Sequence, residues 1–317
     1  MHMFMIRPIL LFCLLFSISF TSFSQRSLIR VSWEKDSKGD YVFYAENRSI
    51  RKQTVVVYFS SLTGLNPDTS LPAIKSVSGG KSRLFRLSKS GTGASNFNYG
   101  YSYYTGVANP KIKDFTYGLP IASGKETKTL ELTSLKESYG DGEAPTDYYA
   151  LGFLLNKGDT IFAARGGRVV EIEQDKEAIG SNMTYARARN KIEIEHKDGT
   201  IAMYSVFKKG SAMVEVGEDI MLGQPLALAE GEGYNAGYHT RLMVLYLKLD
   251  KMKNLKDEDF MSWGYVTPKF NTSDSDPKVL MNNIKYTSYI DEDMITQDMT
   301  KRQKKKYLKE KSSHQFR

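Results

Sequence analysis

The chain has 317 residues, 41% hydrophobic and 25% charged, with one cysteine and a net charge of +8. That length leaves room for two domains with their own cores, and a lone cysteine excludes a disulfide-stapled scaffold. The charge does not mark a nucleic-acid-binding body: eight basic residues and one acid fall within 301–317, which leaves the rest of the chain close to neutral.

Residues 1–25 read as a signal peptide. Arg7 is the only charge, the apolar run Pro8 to Phe20 follows, and Ser22 and Ser24 offer small residues at a cleavage site. The run is shorter than the ~20 residues of a membrane span. Cys13 lies inside it, without the small residue before it that a lipoprotein site would need. The expected product is exported, periplasmic or extracellular, with no membrane span in the mature chain and no cysteine.

Residues 26–136 read as strands. Tyr41 to Ala45 and Thr54 to Phe59 are β-branched and aromatic runs bounded by turn-formers, and Phe97, Tyr99, Tyr101 and Tyr103 alternate with small or polar residues. Regular strand spacing without helical periodicity predicts an immunoglobulin-like β-sandwich. Its aromatic ladder is read as core and cross-strand packing, with a sugar-binding platform as the alternative. Residues 137–147 are a polar linker. A second β-rich domain spans 148–290 with its C-terminal extension, and 291–317 form a basic tail, helical or disordered with disorder the favoured reading, open to electrostatic contact with the envelope.

Three segments of the second domain follow one another in a recognisable order. They are Gly158 to Val170 (GDTIFAARGGRVV), Asn190 to Thr200 (NKIEIEHKDGT) and Val214 to Gln224 (VEVGEDIMLGQ). Together they resemble the core of the lysostaphin/LytM-type zinc endopeptidases, a β-sheet fold of the duplicated-hybrid-motif type whose members cut cell-wall peptides. The fold class expected for the whole chain is therefore all-β.

The resemblance also implies a ligand set, and this sequence departs from it. The family takes a histidine and an aspartate from its first strand, plus the second histidine of a His-x-His strand, as zinc ligands. Here Gly152 stands in the aspartate's place, and no histidine occurs between His2 and His196. The last motif reads His239-Thr240-Arg241, with an arginine at the ligand position. The family's Tyr-x-His segment reads Tyr204-Ser205-Val206, and Ser205 is taken as the replacement for its histidine. A guanidinium has no lone pair for a metal. No metal and no cofactor are therefore expected.

His196 is read as structural. His239 is a remnant of the catalytic pair, and a groove is expected from Arg241, His239, Tyr204, Ser205 and Met243, with Arg241 suited to a carboxylate. The implied role is binding a peptidoglycan-like peptide or regulating a cell-wall hydrolase. Two alternatives stand beside it: a zinc endopeptidase that recruits Asp147 or Asp159 to His239, and a structural or adhesive surface module.

Overall fold

The computed structural model describes residues 27–132, 145–177, 180–183, 189–249 and 261–315. The signal-peptide reading and most of the linker lie outside them. The first domain has strands β1 (Ile29–Lys35), β2 (Tyr41–Asn47), β3 (Gln53–Thr63), β4 (Leu65–Pro67), β5 (Ala73–Val77), β6 (Gly80–Lys89) and β7 (Asn96–Thr105). They form two sheets, β1-β2-β6-β4 and β5-β3-β7.

Alternate residues meet between these sheets. Ile29 and Val31, Phe43 and Ala45, Val55 and Val57, and Phe85 and Leu87 share one core. Phe43 stacks on Phe85 at 4.6 Å. Phe97, Tyr99 and Tyr101 pack against this core and Tyr103 lies at its exposed end, so the aromatic ladder is largely packing. The chain changes sheet at Gly64, between β3 and β4. Its φ is +67°, and a Cβ there would sit 2.6 Å from the Ala94 carbonyl oxygen, so only glycine fits.

The sandwich ends earlier than expected. β8 (Thr116–Tyr117) and β9 (Glu126–Glu131) belong to the second domain, which continues with β10 (Leu151–Leu154), β11 (Thr160–Phe162), β12 (Gly167–Glu173), β13 (Lys191–Glu195) and β14 (Ile201–Ser205). It is completed by β15 (Asp219–Ile220), β16 (Pro225–Leu228), β17 (His239–Leu249), β18 (Met261–Val266), β19 (Lys269–Thr272), β20 (Ser275–Lys278) and β21 (Lys285–Thr287). The physical reason is hydrogen bonding: β9 pairs with β10 and β21, and β8 pairs with β19. Placing the boundary at 136 therefore split a sheet.

The principal sheet runs β15-β12-β13-β14-β17-β10-β9-β21. One edge of β17 pairs with β14, and its other edge is shared by β10 and β18. Ile192, Ile194, Tyr204, Leu242 and Val244 face the domain core. The opposite face is more polar, and the sandwich docks on part of it. Arg51 pairs with Glu171 and Glu193, and Lys52 Nζ lies 2.7 Å from Glu195. At Gly199 (φ +93°) an added Cβ would come within 2.7 Å of Val107, so a bare backbone is what lets the two domains close.

The terminal segment forms two helices, α1 (Glu292–Thr296) and α2 (Lys301–Gln315), which corrects the expectation of a disordered tail. Asp291 caps α1 by accepting from the Met294 amide at 2.8 Å. Asp298 then meets Arg165, whose Nε donates to it at 2.8 Å. The Arg165–Asp298 contact is long-range, so composition alone could not register it.

Candidate functional site

The strand pairing places the degenerate positions in one row. Gly152 on β10 lies opposite Arg241 on β17, and Arg241 lies opposite Ser205 on β14. Alternation sends His239, Arg241 and Met243 to one face of β17, while Leu242 and Val244 enter the core from the other. Met243 packs against Tyr148, Leu132 and Ala150.

Tyr204 is corrected by the same alternation. It is one residue from Ser205, so it points into the core, where its hydroxyl accepts from the Ala164 amide at 2.8 Å and burial pushes its pKa up. Counting from Tyr204 also puts Val206, rather than Ser205, where the family's Tyr-x-His segment has its histidine. Val206 is buried with φ +67°, a left-handed backbone unfavourable for a β-branched residue.

The site is filled. Arg241 is 3% exposed and His239 is fully buried. The Arg241 Nε donates to His239 Nε2 at 3.0 Å, and its guanidinium carbon lies 5.3 Å from the centre of the Tyr234 ring. Because Nε2 accepts, the proton of His239 sits on Nδ1, which donates to the Gly237 carbonyl at 2.7 Å. Burial and, secondarily, the nearby Arg241 charge lower the His239 pKa to about 4, against the pull of the Gly237 bond. At neutral pH the imidazole is uncharged and its lone pair is engaged.

On β10, a Cβ at position 152 would sit 3.3 Å from Leu130 Cβ, so β9 already occupies the space beside the missing aspartate. These residues do not fit the zinc that the resemblance implies. A catalytic zinc takes three protein ligands and an open position, whereas this row offers a glycine, a serine and a guanidinium. Neither alternative carboxylate is shown turned towards His239. Asp147 accepts from the Tyr265 amide at 3.1 Å, and Asp159 accepts from the Asn156 amide at 2.9 Å and pairs with Lys125. Among the described residues, no group of three or more His, Cys, Asp or Glu side chains could hold a metal.

His196 sits towards the other end of the sheet. Its Nδ1 donates to the Gly166 carbonyl at 2.9 Å, its Nε2 has no partner among the described residues, and burial lowers its pKa to about 4. Nearby, Arg165 is 1% exposed yet bonded to Asp298, Asp198 and the Tyr117 hydroxyl, with Phe115 beneath it at 3.6 Å. Sequence reasoning passed over this buried cation. The signal was an arginine directly after Ala163 and Ala164 in a strand-end motif. A cleft of about 780 Å³ opens here between Ile50 of the sandwich, Arg168 and Met221 of the second domain, and Tyr307 of α2.

No protein-family model matches the chain, and no curated protein matches it. Among solved structures, the chain is similar to lysostaphin at 21% identity over 34% of this chain and 38% of that one, with a TM-score of 0.24. It is similar to the catalytic domain of lysostaphin from Staphylococcus simulans at 18% identity over 42% of this chain and 80% of that one, with a TM-score of 0.25. A zinc-containing peptidase from Vibrio cholerae matches at 11% identity over 68% and 81% of the two chains, with a TM-score of 0.31. The chain thus spans less than half the length of full lysostaphin. At these identities and scores the likeness carries no argument about the site, whose chemistry rests on the residues themselves. The chain is similar in fold to the lysostaphin-type β-sheet peptidases, with a ligand row that does not fit their metal.

Proposed function

We propose that this chain is a non-catalytic relative of the lysostaphin-type peptidases, exported to the bacterial cell envelope, where it acts by binding. The observation that carries the reading is the filled row: Gly152 against Leu130, and Arg241 bonded to His239. No water-activating metal has ligands there, and the one imidazole in the row already accepts a hydrogen bond. Recognition therefore belongs to outer surfaces of the peptidase-like domain and not to the ancestral pocket, since Arg241 and His239 are buried. A peptidoglycan-like peptide or a cell-wall hydrolase is the partner class this reading favours.

Metal analysis of the purified mature protein after zinc loading tests the catalytic half, together with release of peptides from sacculi. The expected outcome is substoichiometric zinc and no chelator-sensitive release. Stoichiometric zinc with chelator-sensitive cleavage would overturn the proposal. Co-sedimentation with sacculi then separates wall binding from partner binding, and an Arg241→Ala variant should sediment as the wild type does.

A further inference from the structure

The helix α2 carries seven basic residues between Lys301 and Lys311, and their placement divides them. At about 100° per residue, Lys304, Tyr307 and Leu308 fall on one side of the helix, and all three are half-buried. That side is fixed to the body by ion pairs. Lys304 Nζ lies 3.2 Å from Asp293 and Lys311 pairs with Glu292, both partners on α1. Gln303 accepts from Lys197 at 3.2 Å, and the Arg165–Asp298 contact anchors the segment just before the helix.

Lys306 pairs with Glu310 along the helix, and Lys301, Arg302, Lys305 and Lys309 form the other group. Spaced at i, i+1, i+4 and i+8, they fall within an arc of about 100° and a length of about 12 Å. All four are exposed and have no ion-pair partner among the described residues. The acids of α1 thus pair with Lys304 and Lys311, and the four stripe cations have no such partner. The stripe is a ridge, because its side chains stand clear of the body. A linear polyanion is usually gripped in a groove walled on two sides, whereas a ridge of cations suits a flat anionic surface. The stripe contains no apolar side chain, so contact would be electrostatic and without insertion.

We propose that the outward face of α2, formed by Lys301, Arg302, Lys305 and Lys309, is a docking surface for an anionic phospholipid bilayer. The biological setting rests on the envelope location proposed above, but the surface itself is testable without it. Near an anionic surface each cation contributes about fivefold in affinity, and salt weakens the contribution.

The experiment is vesicle co-sedimentation of the full mature chain. Vesicles of phosphatidylglycerol with phosphatidylcholine should carry the protein down at low salt and release it at high salt, and phosphatidylcholine alone should not bind. Changing all four stripe residues to Gln should lower the partition by two orders of magnitude or more, with helix content by circular dichroism unchanged. A control with the same charge loss spread over Lys38, Lys111, Lys208 and Lys248 should retain binding. Equal loss in both variants would mean that only net charge matters and would overturn the proposal. So would tight binding to soluble polyphosphate with no binding to vesicles, which would assign the stripe to a linear polyanion. Failure of this test leaves the zinc and sacculus measurements unaffected.

Discussion

His196 and His239 share more than their residue type. Each is buried, each donates from Nδ1 to a glycine carbonyl, and burial holds each pKa near 4. They differ in the remaining nitrogen and in the arginine nearby. His239 Nε2 accepts directly from Arg241, so both ring nitrogens are engaged by its own strand and loop. His196 Nε2 has no partner among the described residues, and its neighbour Arg165 turns to Asp198 and Asp298 instead. One arginine completes a histidine, while the other ties the C-terminal segment to the sheet. Identical burial therefore says little about role, which is set by what the second nitrogen and the nearby cation are bonded to.

The largest effect that would sharpen this contrast belongs to Asp298→Ala. It strips a buried guanidinium of one of its two carboxylates, Asp198 remaining, with an expected cost of about 2–3 kcal/mol, read as a lower Tm and faster proteolysis of the C-terminal helices. Asp219→Ala removes the partner of the exposed Arg168 and should cost at most about 1 kcal/mol. Equal costs would dissolve the distinction between latch and surface pair.

Both histidines should make the fold acid-sensitive. Their folded pKa of about 4 lies below the ordinary imidazole value of 6.5, so the unfolded chain binds protons more readily. The stability this supplies is intact above pH 6.5 and is lost as pH falls towards 4. Between pH 7 and pH 5 each histidine should remove about 2 kcal/mol. Urea unfolding at the two pH values measures the sum, and imidazole titration by NMR resolves the two sites.

Arg241→Met separates them. It leaves His239 Nε2 without its donor, at a cost of about 1–3 kcal/mol. It should also raise the His239 pKa from about 4, though not to the ordinary value, because burial remains the larger cause. The His196 titration should not move. A smaller effect is expected from Gly152→Ala, whose new Cβ would press on Leu130 at 3.3 Å and cost about 1 kcal/mol. Combining Gly152→Asp with Arg241→His should still yield no stoichiometric zinc by metal analysis, since the third ligand is missing.

Much of the site was readable from residue identity. The absence of a histidine between His2 and His196, the glycine at 152 and the arginine at 241 are sequence facts, and strand alternation predicted that His239, Arg241 and Met243 share a face. The motif resemblance put both Tyr204 and its neighbour Ser205 in the groove, which alternation forbids, and Tyr204 lies in the core beside Ala164. The buried ion pairs of Arg165 and the ordering of α2 were not readable, because Arg165 and Asp298 are far apart in the chain.

The sequence by itself determined that this is an all-β protein with turns set by glycines such as Gly64 and Gly199, and that its ligand row lacks metal-binding side chains. Those are local properties, carried by side-chain period, backbone conformation and donor chemistry. Only the tertiary structure decided that β9 leaves the sandwich for the second domain, that Arg241 closes onto His239, and that α2 turns four cations outward. The first and last depend on which distant segment meets which, and the second on the burial that the surrounding sheet imposes on two neighbouring side chains. That is a matter of sheet pairing and charge neutralisation across the fold, which neighbouring residues do not encode.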